Sequence, residues 1–309
     1  MTSERIQWST ESAIVLRNRE YEAVIIPDAG ANCISLVHLP SGDQLLRVPE
    51  NGRKLREGSN VFGLPLLFPP NRVRDGRFLF HGREYRFPIN EPERNNHIHG
   101  FLHRTPFAWA GEGTFVYSAD ADHPYLSFPY PFTVERRYTL SAQGLCCTVR
   151  IVNGSGQPMP CGLGIHAALG LHRDSACSLK IPVIRQWLVD PARLLPTGQT
   201  LEHSRLLDAL RAGSLDPDRE PISALLECAP GSEVSLRKPQ GVWKCRMDKS
   251  FRFVMLWNGG GGRHFVCPEP QSWITDAPNL CMHAETSGLL EIQPGETLQT
   301  ELSYTFIPN

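Results

Sequence analysis

Apolar residues along this chain fall in short runs separated by turn formers, not in the 3.6-residue stripes of a helical protein. Residues 23–26, 33–38, 145–152, 162–171, 252–257 and 298–306 are rich in β-branched and aromatic side chains and are bounded by Gly, Pro, Asn or Asp, which predicts strands. The run Leu298-Gln-Thr-Glu-Leu-Ser-Tyr-Thr-Phe alternates apolar with polar, as a strand with one wet face does. Only residues 202–212 read as a short helix, after the turn signal Pro196-Thr-Gly-Gln. The 26 Gly and 26 Pro are spread throughout the chain, breaking helices and supplying turns. No Ser/Gly linker, composition break or short repeat divides it. The expected architecture is therefore all-β, a large sandwich of antiparallel sheets forming one unit over residues 1–309. Loops near Asn71, His99, Pro191 and Pro270 are free to carry a site on that scaffold.

Composition narrows the partners. With 31 basic against 32 acidic residues and a net charge of −1, the chain has no electrostatic footprint for nucleic acid or an anionic membrane. A small, mostly neutral ligand fits this balance better than a polyanion. No apolar run is long enough to span a bilayer, and the N-terminal segment lacks the basic-then-apolar pattern of a signal peptide. Nine scattered cysteines, odd in number and without CxxC, read as thiols in a reducing cytoplasm, not as disulfides or a zinc site. A cytoplasmic location is expected.

Four segments place polar residues in otherwise structural stretches. In Phe68-Pro-Pro-Asn-Arg-Val-Arg-Asp-Gly-Arg, two prolines stiffen the approach to Arg72, whose guanidinium can donate two hydrogen bonds to neighbouring oxygens. A surface hairpin turning at Asp75-Gly76 is the other reading, and the one that suits Arg74 and Arg77. In Asn95-Asn-His-Ile-His-Gly-Phe, the His97-x-His99 pair has metal-motif spacing but no further ligands of clear spacing. A neutral imidazole donating to a sugar or carbonyl oxygen is the preferred role for His99, and Gly100 lets a ligand approach the backbone. His166 stands alone in an apolar run, either as a satisfied core residue or as a desolvated general acid. Glu269, held between Pro268 and Pro270 at the end of an apolar run, is either a strand-end carboxylate or one positioned to abstract a proton.

Taken together these segments resemble the aldose 1-epimerase family. Asn71-Arg72 with Asp75-Gly76-Arg77-Phe78 is similar to its NR…G.F element, and His99-Gly100-Phe101 with Trp109 to its HG…W element. His166 resembles its mid-chain histidine. Leu195-Pro196-Thr197-Gly198, then Glu269-Pro270-Gln271 with Asp276-Ala277-Pro278-Asn279, and finally Pro294-Gly295-Glu296-Thr297 follow in the family's order. The resemblance implies a β-supersandwich with its site on one open face, Glu269 as general base, His166 as general acid, and Arg72 and His99 as sugar ligands. It also implies a sugar-binding aspartate after the Leu195-Pro-Thr-Gly segment. Neither Asp216 nor Asp218 aligns cleanly, and Asp218 is taken. Only Gly100 follows His99, where many members have two glycines, while His103 and Arg104 stand where a sugar-phosphate branch has an arginine. The implied reaction interconverts α and β anomers of a hexose with no cofactor or metal. The rival readings are a hexose-6-phosphate 1-epimerase drawing on Arg72, Arg74, Arg77 and Arg104, a carbohydrate-binding protein without turnover, and a metal enzyme using His97, His99 and His103.

Overall fold

The computed structural model describes residues 1–126, 128–172 and 176–309. Strands form close to where the apolar runs place them, at Tyr21–Ile26, Asn32–His38, Gly144–Asn153, Phe253–Trp257 and Thr297–Pro308. The helix begins later than expected and spans Arg205–Ala212. Ser204 caps it, accepting the Leu207 N–H at 3.2 Å, and Gly213 ends it in a left-handed conformation.

Two large sheets contribute to one buried core. One takes the order Ala108–Gly111, Thr114–Ala119, Phe132–Ser141, Gly144–Asn153, Thr297–Pro308, Gly241–Met247, Glu233–Lys238, Ser178–Lys180. The other runs Pro196–Leu201, Val183–Val189, Ser223–Cys228, Phe253–Trp257, Phe265–Gln271, Gly164–Ile165, Leu66–Leu67, and Leu169–Gly170 also pairs with Phe265–Gln271. A sheet of five strands between Thr2 and Gln44 packs on Phe132–Ser141 and Gly144–Asn153. The pairings between these strands are antiparallel, giving the all-β supersandwich expected.

Period-two alternation sets the core. Along Phe132–Ser141 the residues Phe132, Val134, Arg136, Tyr138 and Leu140 are buried and their neighbours are not. Arg136 is an unusual member of that row. Its guanidinium donates to the carbonyls of Gly30 (3.1 Å) and Leu64, and the adjacent Tyr138 hydroxyl donates to Ala31 O at 2.8 Å. Buried polar groups need such partners, and here they tie the N-terminal sheet to the segment that leads into Arg72.

The run 162–171 does not form the single strand its composition predicts. It pairs as Gly164–Ile165 and again as Leu169–Gly170, and His166 lies in the break. The cause is its neighbour. Phe265–Gln271 is buried at every position and contains Pro268 and Pro270, which have no N–H to donate to a flanking strand. That strand pairs with Gly164 only at Gln271, and with Leu169 and Gly170 only at Val266 and Phe265. In the gap, the backbone of 166–168 turns elsewhere. The His166 N–H donates to Pro65 O and the Ala168 N–H to Gly63 O, both at 2.9 Å. An interrupted ladder thus opens a space beside Glu269 that an imidazole can fill.

Candidate active site

Glu269 and His166, far apart in sequence, meet in that space. Nε2 of His166 lies 3.1 Å from Oε1 of Glu269, with the residues 3% and 2% exposed. The second carboxyl oxygen accepts from Gln271 Nε2 at 3.4 Å, and Gln271 Oε1 accepts from Asn71 Nδ2 at 3.3 Å. Burial pushes Glu269 well above the usual carboxylate range, opposed by the charge of Arg72 and the Gln271 hydrogen bond. Burial likewise lowers His166 to about 4. Both groups are driven toward their neutral forms, so across neutral pH the pair holds one proton between them.

The wall facing this pair comes from the strands Arg72–Arg74 and Asn96–Ile98, which pair with Ile98 opposite Arg72. Asn71 and His99 flank these strands with φ of 56° and 68°, a left-handed backbone that non-glycine residues adopt at a cost. The His99 N–H donates to Asn71 O at 3.0 Å, locking the two together. The His99 and His166 rings stand edge to face at 5.3 Å, and Trp257 meets His166 the same way at 6.0 Å. Burial, then electrostatic interaction with His166, His103 and Arg72, hold His99 well below the ordinary imidazole range. Its Nδ1 is buried and without a partner among the described residues.

Arg72 is fixed by a residue that the sequence did not single out. Its Nε and Nη2 reach the two carboxyl oxygens of Glu91 at 2.8 and 2.7 Å, and Asn96 Nδ2 donates to the same carboxylate at 2.9 Å. Burial acts to raise Glu91, but the hydrogen bonds from Arg72 and Asn96 and the charges of Arg72 and Arg94 outweigh it and keep Glu91 low. The guanidinium is therefore held in one place, with its charge partly offset.

Glu269, His166, His99, Arg72 and Asn71 share a cavity of about 350 Å³, floored by Ser223, Met255 and Trp257. Four of the five expected site residues are thereby brought together. Asp218 is not among them. It lies outside this lining, and its Oδ1 accepts the N–H groups of Arg263 and His264 at 2.9 and 3.0 Å while Oδ2 meets His264 Nδ1 at 3.1 Å. That carboxylate holds the loop after Trp257, where Gly259 to Gly262 all have positive φ. An aspartate between two prolines and a glycine-rich loop carries the same residue types whether it binds sugar or backbone, so spacing could not separate the two roles.

Of the arginines invoked for a phosphate, only Arg72 lines this cavity, while Arg74 and Arg77 line a separate one. Arg74 pairs with Asp276 at 3.1 Å, Arg77 stands 3.9 Å from Glu84, and Arg104 lies over the Phe101 ring at 4.1 Å. Arg94 joins Arg72 at the cavity, where both share Glu91. His97 is a core residue. Its Nδ1 lies 2.7 Å from Pro88 O and its ring stacks on Phe87 at 4.9 Å. Among the described residues, no three His, Cys, Asp or Glu side chains are placed to hold a metal ion. No helix among them is long and apolar enough to cross a membrane.

The antiparallel supersandwich is the fold of galactose mutarotase-like proteins. A sequence profile described as Aldose 1-epimerase matches residues 12–305, and the chain belongs to that family. A galactose mutarotase-like protein of Clostridium acetobutylicum has a TM-score of 0.91 at 28% identity, covering 100% of this chain and 98% of the other. The galactose 1-epimerase of Lactobacillus acidophilus NCFM has a TM-score of 0.73 at 15% identity, covering 100% and 99%, a likeness of fold. In sequence, the Escherichia coli K12 protein YphB, described as uncharacterized, is 28% identical over 276 residues, 82% of this chain and 86% of its own.

Gly100 is where the wall is least tolerant. It has φ of 59°, and a Cβ there would lie 1.8 Å from the Phe68 carbonyl oxygen. Gly100→Ala is expected to cost at least about 2 kcal/mol of stability and to displace His99. Thermal unfolding measures the first effect; an unchanged Tm would show that the contact yields freely.

Proposed function

We propose that this protein is an aldose 1-epimerase that interconverts the α and β anomers of a free hexose. The 3.1 Å approach of His166 to Glu269 inside a sugar-sized cavity carries this reading. Glu269 as carboxylate takes the proton from the C1 hydroxyl. The C1–O5 bond breaks, and His166 delivers its proton to O5. The product is an open-chain aldehyde beside a neutral acid and a neutral imidazole. Rotation about C1–C2 presents the other carbonyl face, and closure runs the transfers in reverse. Arg72 and His99 hold ring and hydroxyl oxygens, supported by Asn71 and Gln271.

Burial explains why the pair can run in both directions. The neutral arrangement that accompanies the aldehyde is the one a dry site favours. The charged arrangement that opens the ring is supported by Arg72, whose charge lowers Glu269. The neutral arrangement is the favoured one, and the charge of Arg72 lowers the cost of reaching the charged one from which the ring opens. The chemistry the family resemblance implies needs only this pair. The free-sugar reading is favoured over a phosphorylated one because Arg74, Arg77 and Arg104 are engaged elsewhere, by Asp276, Glu84 and the Phe101 ring.

Glu269→Gln, of nearly equal volume, is expected to lower kcat by about 10²-fold or more with the fold intact by circular dichroism. Turnover at the wild-type rate, followed by polarimetry, would remove the base assignment. His166→Asn should lose rate while still binding sugar in calorimetry. If that variant merely unfolds, the histidine is a core residue.

The pH profile has a distinctive form. His166 is lowered to about 4, so a second proton enters the pair only near that pH and removes the base. Glu269 is raised, so the last proton leaves, removing the acid, only well above the usual carboxylate range. The enzymatic rate, measured by exchange NMR over the spontaneous background, should be flat through neutrality and fall near pH 4. A limb near 6.5, where an ordinary histidine titrates, would contradict the buried pair.

A further inference from the structure

The chain that leaves the strand bearing Glu269 stays beside the segment bearing Arg72 and holds it at successive points. Gln271 Oε1 accepts from Asn71 Nδ2 at 3.3 Å, and Trp273 Nε1 donates to Pro70 O at 3.2 Å. The Asp276 N–H donates to Arg72 O at 2.9 Å, and Asp276 Oδ1 accepts the Arg74 N–H at 2.9 Å. Asn279 Nδ2 then donates to Arg77 O at 2.9 Å. The strand Arg72–Arg74 belongs to a sheet of two strands, with Asn96–Ile98 as its ladder partner. Asp276 supplies what a third strand would, a donor for one peptide carbonyl and an acceptor for a peptide N–H two residues on.

The carboxyl of Asp276 is committed to this contact and not to its own turn. Asp276 is fully buried, takes φ of 62°, and precedes the short 3-10 helix Ala277–Asn279. An aspartate at such a position ordinarily caps the helix, yet this one makes no capping hydrogen bond. Oδ2 instead accepts from Nε and Nη2 of Arg74, both at 3.1 Å, and Oδ1 accepts from Asn279 Nδ2 at 2.7 Å. Burial pushes the carboxyl above its usual range, and the hydrogen bonds from Arg74 and Asn279 with the Arg74 charge act against it. A buried carboxylate is costly even when partnered. Glycine or asparagine would hold the left-handed backbone without it, so the turn alone does not account for the carboxylate.

We propose that Asp276 is a positioning residue for the reaction: it ties the strand bearing Arg72 to the continuation of the strand bearing Glu269, and so fixes the guanidinium relative to the base. Glu91 holds the Arg72 side chain, while Asp276 holds its backbone from the base's own stretch of chain. The charge of Arg72 lowers Glu269, and that effect falls with distance. A strand free to shift would therefore weaken both the support of the carboxylate and the grip on sugar oxygens. The inference rests on the epimerase reading above and extends its machinery to a residue outside the cavity lining.

The test is a double-mutant cycle on kcat/KM for galactose, measured by polarimetry well below the Tm of each variant. Asp276→Gly suits the backbone and removes the carboxylate, and it should lower kcat/KM by about tenfold or more, within what a displaced positioning group costs. Asp276→Asn keeps an acceptor for the Arg74 N–H and should stay within about threefold of the wild type. In an Arg72→Met background, Asp276→Gly should cost less than about twofold, because a residue that acts through Arg72 has nothing left to position. Wild-type kcat/KM in folded Asp276→Gly overturns the proposal. So does an equal loss with and without Arg72, the mark of a purely structural role, or an Asn variant as slow as the Gly variant. If Asp276→Gly does not fold, Asn279→Ala, which takes one hydrogen bond from the carboxylate, replaces it in the cycle under the same criteria, with an expected loss of about threefold. Absence of anomerisation by the wild type would sink the epimerase reading instead. The cycle is then run on the galactose dissociation constant by calorimetry, where an unchanged constant in the variant overturns the positioning role.

Discussion

A carboxyl and an imidazole 3.1 Å apart with almost no exposure to water impose a strict condition on everything around them. A charge in that position has lost its hydration, so either the pair stays neutral with one proton between its members or the protein supplies compensating dipoles and charge. Both elements are present. Gln271 and, through it, Asn71 reach the free carboxyl oxygen. Arg72 lies close enough to lower Glu269, yet its guanidinium is bound to Glu91 and not to the Glu269 carboxylate. Without Glu91, that guanidinium would be free to pair with Glu269 and hold it permanently ionised.

The scaffold creates the pair by interrupting itself. Two prolines in a fully buried strand leave a stretch of ladder without donors, and the neighbouring chain bends out of the sheet at His166, where Pro65 takes up its backbone N–H. The facing wall is built from left-handed residues, Asn71 and His99, with Gly100 pressed against the Phe68 carbonyl. These local costs are sustained because Arg136, Tyr138 and the large core anchor the same segments from behind. Rigidity matters for an acid–base pair, since proton transfer falls away steeply once donor and acceptor leave hydrogen-bond distance.

Beside the cavity stands a hairpin turn whose sequence, Asp-Pro-Ala-Arg-Leu-Leu, shows only a turn. Its Arg193 contacts Asp75, Asn95 and Asn96, residues about a hundred positions earlier. Floor, wall and turn thus come from three distant parts of the polypeptide, which meet at the cavity.

By itself the sequence determined the β-rich architecture, because period-two burial and turn residues are local properties, and strands such as Gly144–Asn153 and Thr297–Pro308 lie within a residue or two of where those patterns end. It also exposed Glu269, His166, Arg72 and His99 as candidates, since each is a polar residue set in a stretch otherwise explained by packing, and the order of short motifs pointed to one family. Only the tertiary structure decided the rest. It put His166 in a break instead of a strand, because Pro268 and Pro270 act on a neighbour roughly a hundred residues away. It assigned Asp218 to a glycine loop, not to the cavity, and it revealed Glu91 and Trp257. Those roles depend on which side chains face one another across sheets, and hydrogen bonds between distant segments leave no periodicity or spacing along the chain from which to read them.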